Sequence, residues 1–257
     1  MSTPILVEQK SVFTLITLNR PERRNALTIE LMNELVAAVT RANADASRRA
    51  IILRGAGEGF CAGLDLKQAQ ETDRHEESAR SVANMLKTVH TSKLVTIAAV
   101  HGHAMAGGAG LVAACDLAVA SAGTKFGYPE VRRGLVPALV STLLRHQVGD
   151  RRLRELFLAA EPITAERALE FGLINRVVAA GADAALNGAL ELANSVAQGA
   201  PGALANTKQL LADLRSSSIE HDLQKALEFH EHARTGDEAA EGIAAFMQKR
   251  SPKWAIK

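Results

Sequence analysis

Two short apolar runs, separated by a segment whose apolar residues have helical spacing, limit the folds open to this chain more than any other feature. The runs are RRAIILRG (48–55) and KLVTIAAV (93–100), and between them lies a polar segment with apolar residues at helical spacing, RHEESARSVANMLKTVHTS (74–92). Continuous apolar runs bounded by turn residues are typical of strands that are buried on both faces of a parallel sheet. The chain is therefore predicted to have an α/β fold.

The remaining segments extend this alternation. Their predicted order is a β-hairpin at 5–19, a helix at 28–45 with Thr28 as its N-cap, short strands at 116–121 and 124–130, helices after Pro137, and a last strand at 172–178.

From about Asp183 onward only helical segments remain, separated by Gly, Pro or Ser breaks. We expect a core over residues 1–195 and a C-terminal helical region over 196–257. Such a helical tail is typical of an assembly or lid module.

Composition excludes several classes of function. With 257 residues, 47% hydrophobic content and a net charge of +2, the chain is an ordinary globular protein. Few aromatic residues and balanced charge argue against nucleic-acid binding. The N-terminus MSTPILVEQK has no signal-peptide pattern, and no apolar stretch approaches the roughly 20 residues that span a membrane, so we expect a cytoplasmic protein. Cys61 and Cys115 are predicted to be buried free thiols, and no metal site is expected.

Two glycine-rich loops follow the apolar runs, GAGEGFCAGLD (55–65) and HGHAMAGGAG (101–110). Phe60 replaces the third glycine of a dinucleotide fingerprint, and neither loop has the G-K-[ST] ending of a P-loop. In the second loop, Gly107 and Gly108 precede a predicted helix, whose first N–H groups are unpaired and can hold an oxyanion. Close helix packing explains such small residues equally well.

Five ordered segments resemble the crotonase, or enoyl-CoA hydratase/isomerase, superfamily. They are LNRPERRNAL (18–27), FCAGLDL (60–66), AAVHGHAMAGGAGLVAACDLAVAS (98–121), KFGYPEVRRGLVP (125–137) and ITAERALEFGLINRVV (163–178). The resemblance implies a spiral of ββα units with a helical trimerisation region, and hence a homotrimer or a dimer of trimers. It also implies an acyl-CoA thioester substrate whose carbonyl is polarised by two backbone N–H groups, with no cofactor besides the CoA of the substrate.

Carried over by motif position, the resemblance places the site residues. The oxyanion donors are Ala62 and Gly107, and the residue for proton transfer is Glu130. Gly108, Gly110 and Pro137 are expected in the substrate pocket. The expected CoA contacts are Arg24, Ala26, Ala62, Leu64 and Asp65, with Phe246 and Lys249 completing a CoA pocket, often that of a neighbouring subunit in this family. Arg23 and Arg24 can meet phosphates, although solvated surface arginines have the same pattern.

The proton-transfer residues leave the reaction open. Hydratases of this family usually have two glutamates, but Gly110 occupies the position of the first, and only Glu130 remains. One carboxylate can in principle serve both steps of a hydration, and the motifs resemble a branch that acts on methylglutaconyl-type substrates. A Δ3,Δ2-enoyl-CoA isomerase needs one base only, and a catalytically weak acyl-CoA binding protein is a third alternative.

Several other basic residues are interpreted mainly as surface or local hydrogen-bonding residues. A carboxylated acyl chain can be met by Arg132, Arg133 or a histidine, although each is more typical of a surface residue. His101 and His103 are interpreted as local hydrogen-bonding residues. The histidines of the tail, including His230, point to different helix faces and are not expected to share a metal.

Overall fold

The computed structural model describes residues 3–65, 67–68, 74–213 and 218–252. Its strands are β1 (Ile5–Lys10), β2 (Phe13–Leu18), β3 (Ala50–Gly55), β4 (Val95–Val100), β5 (His103–Met105), β6 (Leu117–Ser121), β7 (Lys125–Gly127), β8 (Ile163–Thr164) and β9 (Arg176–Val178). The larger sheet has the order β1-β2-β3-β4-β6-β9, in which the β1-β2 hairpin is antiparallel and the other pairs are parallel. The smaller sheet has the order β5-β7-β8.

The helices are α1 (Ile29–Ala44), α2 (His75–His90), α3 (Gly107–Ala114), α4 (Ala138–Leu144), α5 (Asp150–Arg154), α6 (Ala165–Phe171), α7 (Ala182–Val196), α8 (Pro201–Asp213), α9 (Ile219–Arg234) and α10 (Asp237–Met247). Short 3₁₀ turns at Pro21–Arg23 and Glu130–Arg133 and a π-helical turn at Glu155–Ala159 complete the described elements. No helix in the described ranges is long and apolar enough to cross a membrane.

Helices cover both faces of the larger sheet. On one face, Leu15, Ile52 and Ile97 pack against α7, and on the other, strand residues such as Leu53 pack with the apolar faces of α1, α2 and α3. Strand β4 is buried along its whole length and β3 at every residue except the half-buried Arg54, which explains why both lack the alternation of half-exposed strands. The predicted α/β class and the two buried strands are confirmed.

Most predicted elements are present, with differences at the short ones. Thr28 caps α1 as predicted, because its hydroxyl accepts the N–H of Leu31. The last strand is only β9, three residues of the predicted seven, and the strands β5 and β8 were not predicted. Both cysteines are buried free thiols as predicted, and burial raises the pKa of Cys61 to about 12.

The C-terminal helices pack over the core rather than standing apart from it. Helix α9 packs against α4 and α2 and buries Leu223, Ala226 and Leu227 in the main apolar cluster. Helix α10 lies on the 3₁₀ turn at 130–133, where Gly242 lets the helix approach the Arg133 backbone so closely that a Cβ atom would overlap it. The tail therefore closes one side of the segment that carries Glu130.

Candidate active site

One cavity of about 730 Å³ brings most of the predicted site residues together. Its wall is formed by both glycine-rich loops, by the segment 125–140 and by helices α2, α9 and α10. Predicted residues on this wall are Arg23, Arg24, Ala26, Ala62, Leu64, Asp65, Gly107, Glu130, Arg133, Pro137 and Phe246. Residues on the wall that the sequence did not predict as site residues include Val82, Met105, Leu139, Val140, Arg234 and Ile243.

The first glycine-rich loop is held against the Arg24–Leu27 segment by backbone hydrogen bonds. Ala62 N–H donates to the Arg24 carbonyl oxygen at 3.0 Å, Leu27 N–H donates to the Gly63 oxygen at 2.8 Å, and Asp65 N–H donates to the Leu27 oxygen at 3.0 Å. The predicted role of Ala62 as an oxyanion donor is therefore wrong, since its N–H already has an acceptor within the protein.

Among the residues of this loop that line the cavity, Ala62 and Asp65 have bonded N–H groups and Leu64 has an open one. Leu64 and Leu27 form an isolated parallel β-bridge, in which Leu27 bonds to the residues on either side of Leu64, so the Leu64 N–H itself points away from Leu27. Within the described ranges no carbonyl oxygen accepts it, and Leu64 lies on the cavity wall.

The buried side chain of Asn25 holds the turn at residues 20–25 against the first glycine-rich loop. Asn25 has a positive φ of 54° and no exposed surface. Its amide nitrogen donates to the carbonyl oxygens of Ala56 and Gly59 at 2.9 Å, and its amide oxygen accepts the Arg20 N–H at 2.9 Å. Nearby, Asp65 pairs with Arg20 at 3.2 Å, so its carboxylate stabilises the loop.

The second open donor is the N–H of Gly107, the first residue of α3, for which the described part of the chain offers no acceptor. Ala106 precedes it with a φ of 48°, a conformation that costs a non-glycine residue about 1–3 kcal/mol and clusters at functional sites. The Ala106 N–H donates to the Gly127 oxygen at 2.8 Å, which helps to hold this geometry. A Cβ atom on Gly63 would lie 3.5 Å from the Gly107 nitrogen. The two open N–H groups are thus carried by loops in direct contact.

Gly108 and Gly110 lie behind the cavity wall, contrary to the prediction that they line the pocket. A Cβ atom on Gly108 would lie 2.5 Å from the Cys61 oxygen, and one on Gly110 would overlap the side chain of Val140. Both glycines allow α3 to pack closely against its neighbours, and the side of Gly110 that a side chain would occupy faces Val140 of α4.

Glu130 is a buried carboxylate at the start of its 3₁₀ turn, on the cavity wall. Its Oε2 atom is buried and has no hydrogen-bond partner among the residues that the structure describes. Burial raises the pKa of Glu130 to about 7, opposed by a backbone hydrogen bond and by the charge of Arg133. Such a carboxylate is able to exchange protons near neutral pH, as a general acid–base group requires.

Of the predicted CoA contacts, all but Lys249 lie on the cavity wall that the structure describes. Arg23 and Arg24 are exposed at the cavity, beside Ala26. Phe246 lies on the same wall within this chain, and the Arg133 guanidinium is stacked 4.5 Å from its ring centroid. Lys249 is exposed and is not among the wall residues that the structure describes.

The basic residues separate into surface and cavity groups. Arg132 is exposed and pairs with Glu161, whereas Arg133 is partly buried on the cavity wall. His101 Nε2 contacts the Gly57 oxygen at 2.9 Å, which confirms its local role.

His103 and His230 both line the cavity. Burial lowers the pKa of His103, and the charges of Arg24 and His101 lower it further. The described part of the chain contains no group of three or more His, Cys, Asp or Glu residues arranged to hold a metal ion.

Known proteins resemble this chain over nearly its whole length. The family model described as enoyl-CoA hydratase/isomerase matches residues 8–257. A protein from Thermus thermophilus is 38% identical over 254 residues, which cover 96% of this chain and 98% of the relative. The 2,3-dehydroadipyl-CoA hydratase of Escherichia coli is 33% identical over 253 residues, 98% of each chain. The crystal structure of an enoyl-CoA hydratase from Mycobacterium avium has a TM-score of 0.88 at 35% identity and covers 99% of this chain and 100% of its own. The chain therefore belongs to the enoyl-CoA hydratase/isomerase family, has the crotonase fold, and is an acyl-CoA enzyme similar to enoyl-CoA hydratases.

Proposed function

We propose that this enzyme adds water to a trans-2-enoyl-CoA thioester with Glu130 as its only proton-transfer residue. The observation that carries the proposal is the shared cavity of the buried Glu130 carboxylate and the two open N–H groups of Leu64 and Gly107. No cofactor besides the CoA of the substrate takes part.

The thioester oxygen accepts hydrogen bonds from the Leu64 and Gly107 N–H groups. They withdraw electron density from the conjugated double bond and stabilise the enolate oxygen that forms when the nucleophile adds. Loss of one such donor typically costs about 3–4 kcal/mol of transition-state stabilisation. Because both donors are backbone groups on loops held by other hydrogen bonds, they are oriented before the substrate arrives.

Glu130 moves the protons of the reaction. Its carboxylate accepts a proton from water while the water oxygen bonds to C3 of the acyl chain and the electron pair of the double bond moves toward the thioester oxygen. The protonated Glu130 then donates to C2 as the enolate collapses, so that one water is added overall. A pKa of about 7 suits both roles, since the carboxylate is neither too weak a base nor too weak an acid at neutral pH.

The second candidate is a Δ3,Δ2-enoyl-CoA isomerase, and the packing at Gly110 favours it. The position of the usual first glutamate faces Val140, and among the described wall residues the carboxylates are only Glu130 and the Arg20-paired Asp65. Isomerisation needs one base, which removes a proton from C2 of a 3-enoyl chain and returns it to C4 of the dienolate. We rank hydration first because the motifs as a whole and the relatives' names point to hydratases.

The acyl chain of the substrate is proposed to be branched or carboxylated. The resemblance to methylglutaconyl-type enzymes supports this, and the name of the Escherichia coli relative gives 2,3-dehydroadipyl-CoA as a substrate within the family.

Assembly as a homotrimer or a dimer of trimers is part of the proposal. Leu158, Leu210 and Leu211 are 69%, 56% and 61% exposed in the single chain, and the last two lie in the region predicted to mediate assembly. Light scattering on the purified protein tests this.

The test of the reaction is turnover of matched trans-2-enoyl-CoA and trans-3-enoyl-CoA substrates, followed by mass. Water gain on the 2-enoyl substrate that is lost in Glu130→Gln supports the hydratase. Double-bond migration without water gain identifies the isomerase instead. Glu161→Gln is the matched control, because Glu161 is 71% exposed and paired with Arg132. Binding of CoA thioesters with no turnover of any substrate would overturn both reactions.

A further inference from the structure

Helix α9 places two basic residues on the wall of the cavity that contains Glu130. His230 and Arg234 are four residues apart, so they lie on the same face of the helix one turn apart. Both side chains are partly buried. Across the described ranges, neither makes a hydrogen bond or ion pair with another protein group, and no acidic side chain lies within 4.0 Å of the Arg234 guanidinium.

Partial burial without a partner is unusual for an arginine. Burial lowers the pKa of Arg234. Burial, together with the charges of Arg234 and His75, lowers the pKa of His230 to about 4. His230 is therefore neutral at physiological pH and able to donate a hydrogen bond, while Arg234 stays charged. A neutral donor beside a guanidinium fork is well suited to a carboxylate, which guanidinium binds with two parallel hydrogen bonds.

The packing of α9 places His230 and Arg234 beside the part of the cavity that is suited to an acyl chain. Helix α9 packs against α4 and α2, and those helices supply the apolar cavity residues Val82, Leu139 and Val140. The cations predicted to meet the phosphates of CoA, Arg23 and Arg24, lie instead at the end of the 3₁₀ turn at Pro21–Arg23. Arg234 thus belongs to the helical wall with the apolar residues suited to an acyl chain.

We propose that Arg234, assisted by His230, binds a carboxylate at the far end of the acyl chain, so that the preferred substrates are CoA thioesters of dicarboxylic acids. This inference rests on the proposed function for the identity of the reaction, but the anchor itself acts in binding. It accounts for a partly buried arginine beside the apolar residues of the helical wall, which a plain fatty acyl chain does not.

The test compares the binding of saturated thioesters, which the enzyme can neither hydrate nor isomerise. Calorimetry gives the dissociation constants of glutaryl-CoA and adipyl-CoA against pentanoyl-CoA and hexanoyl-CoA, pairs that differ only at the end of the chain. We expect the carboxylated member of at least one pair to bind roughly 10 to 100 times more tightly, the range of a hydrogen bond to a charged group. In Arg234→Met the ratio should fall to about one, and in Arg234→Lys it should be intermediate.

The control variant is Arg80→Met. It removes the same charge from an exposed position of α2, where Arg80 pairs with Glu76, and it should keep the ratio of the unsubstituted enzyme. Thermal unfolding of each variant checks the fold, and Arg234→Gln provides a second neutral variant if the methionine is not tolerated.

Two results would overturn the anchor. An unsubstituted enzyme that shows no preference in either pair excludes it. Equal weakening of both members of each pair in Arg234→Met places the anion on CoA rather than on the acyl chain. The reaction is judged separately by turnover: an Arg234-dependent binding preference without turnover keeps the anchor and refutes the proposed function, and turnover without any Arg234-dependent preference does the reverse.

Discussion

Replacement of Glu130 by glutamine should abolish catalysis and at the same time stabilise the folded enzyme at neutral and alkaline pH. Burial raises the pKa of Glu130 from an ordinary value near 4.5 to about 7, and this difference corresponds to about 3 kcal/mol. The unsubstituted fold therefore bears a charged group that it disfavours. Glutamine has nearly the same shape and no charge, and it lacks the proton-transfer ability that usually contributes a factor of about 10²–10⁴ to rate.

The sign of the pH effect follows from proton binding. Between about pH 4.5 and 7 the folded state holds the Glu130 proton more tightly than the unfolded chain does, so the free energy of unfolding falls as pH rises through this window. Below the window both states are protonated and the contribution is unchanged. The free energy of unfolding of Glu130→Gln, minus that of the unsubstituted enzyme, should thus increase by up to about 3 kcal/mol from pH 4.5 to pH 8.

The assay is urea unfolding at a series of pH values and one chain concentration, because assembly makes apparent stability depend on concentration. Glu161→Gln serves again as the exposed control and should show no such trend. In parallel, kcat/KM of the unsubstituted enzyme should rise with pH and level off above an apparent pKa near 7, as the base form accumulates. A stability difference that stays flat from pH 4.5 to 8 would refute the burial argument, and retained turnover in Glu130→Gln would refute the catalytic role.

Three further predictions concern the residues around the cavity. Gly110→Ala should lower the free energy of unfolding by about 1–3 kcal/mol, because the added methyl overlaps Val140; an unchanged urea midpoint would contradict the packing described. Asn25→Ala leaves two loop carbonyl oxygens without their donor and should cost about 1–3 kcal/mol for each buried one, together with a fall in kcat that steady-state kinetics would detect. Arg23→Met should raise KM for CoA thioesters at low salt and much less at high salt, since an exposed charge is screened; an effect independent of salt would argue against phosphate contact.

The sequence predicted well the parts of the fold that depend on burial. The apolar runs around Ile52 and Ile97 are strands because both faces of the sheet are covered, and Thr28 caps α1 through its own hydroxyl. Strands β5 and β8 have no such pattern. Their few residues are extended because neighbouring strands offer hydrogen bonds, and this depends on how distant segments meet.

The same distinction, between local sequence pattern and contacts of distant segments, explains which site residues could be predicted. Glu130 was predicted from its motif, and its burial agrees with an acid–base role. The choice between the Ala62 and Leu64 N–H groups depends on which carbonyl oxygens the Arg24–Leu27 segment presents, and side-chain identity does not encode that pairing. Arg234 was not predicted as a site residue, because the sequence pattern of an amphipathic helix does not distinguish an exposed arginine from one directed into a cavity.

The hydrogen bonds between Leu27 and the Gly63–Asp65 loop join the turn that bears Arg23 and Arg24 to the N–H group of Leu64. If Arg23 and Arg24 bind the nucleotide of CoA and Leu64 binds the thioester oxygen, a nucleotide that draws this turn toward itself would move the Leu64 N–H in the same displacement. Short thioesters without the nucleotide should therefore suffer in kcat as well as in KM, because binding energy far from the double bond is used to align the reacting carbonyl. The part of the substrate that takes no part in the chemistry would thereby help to set its rate.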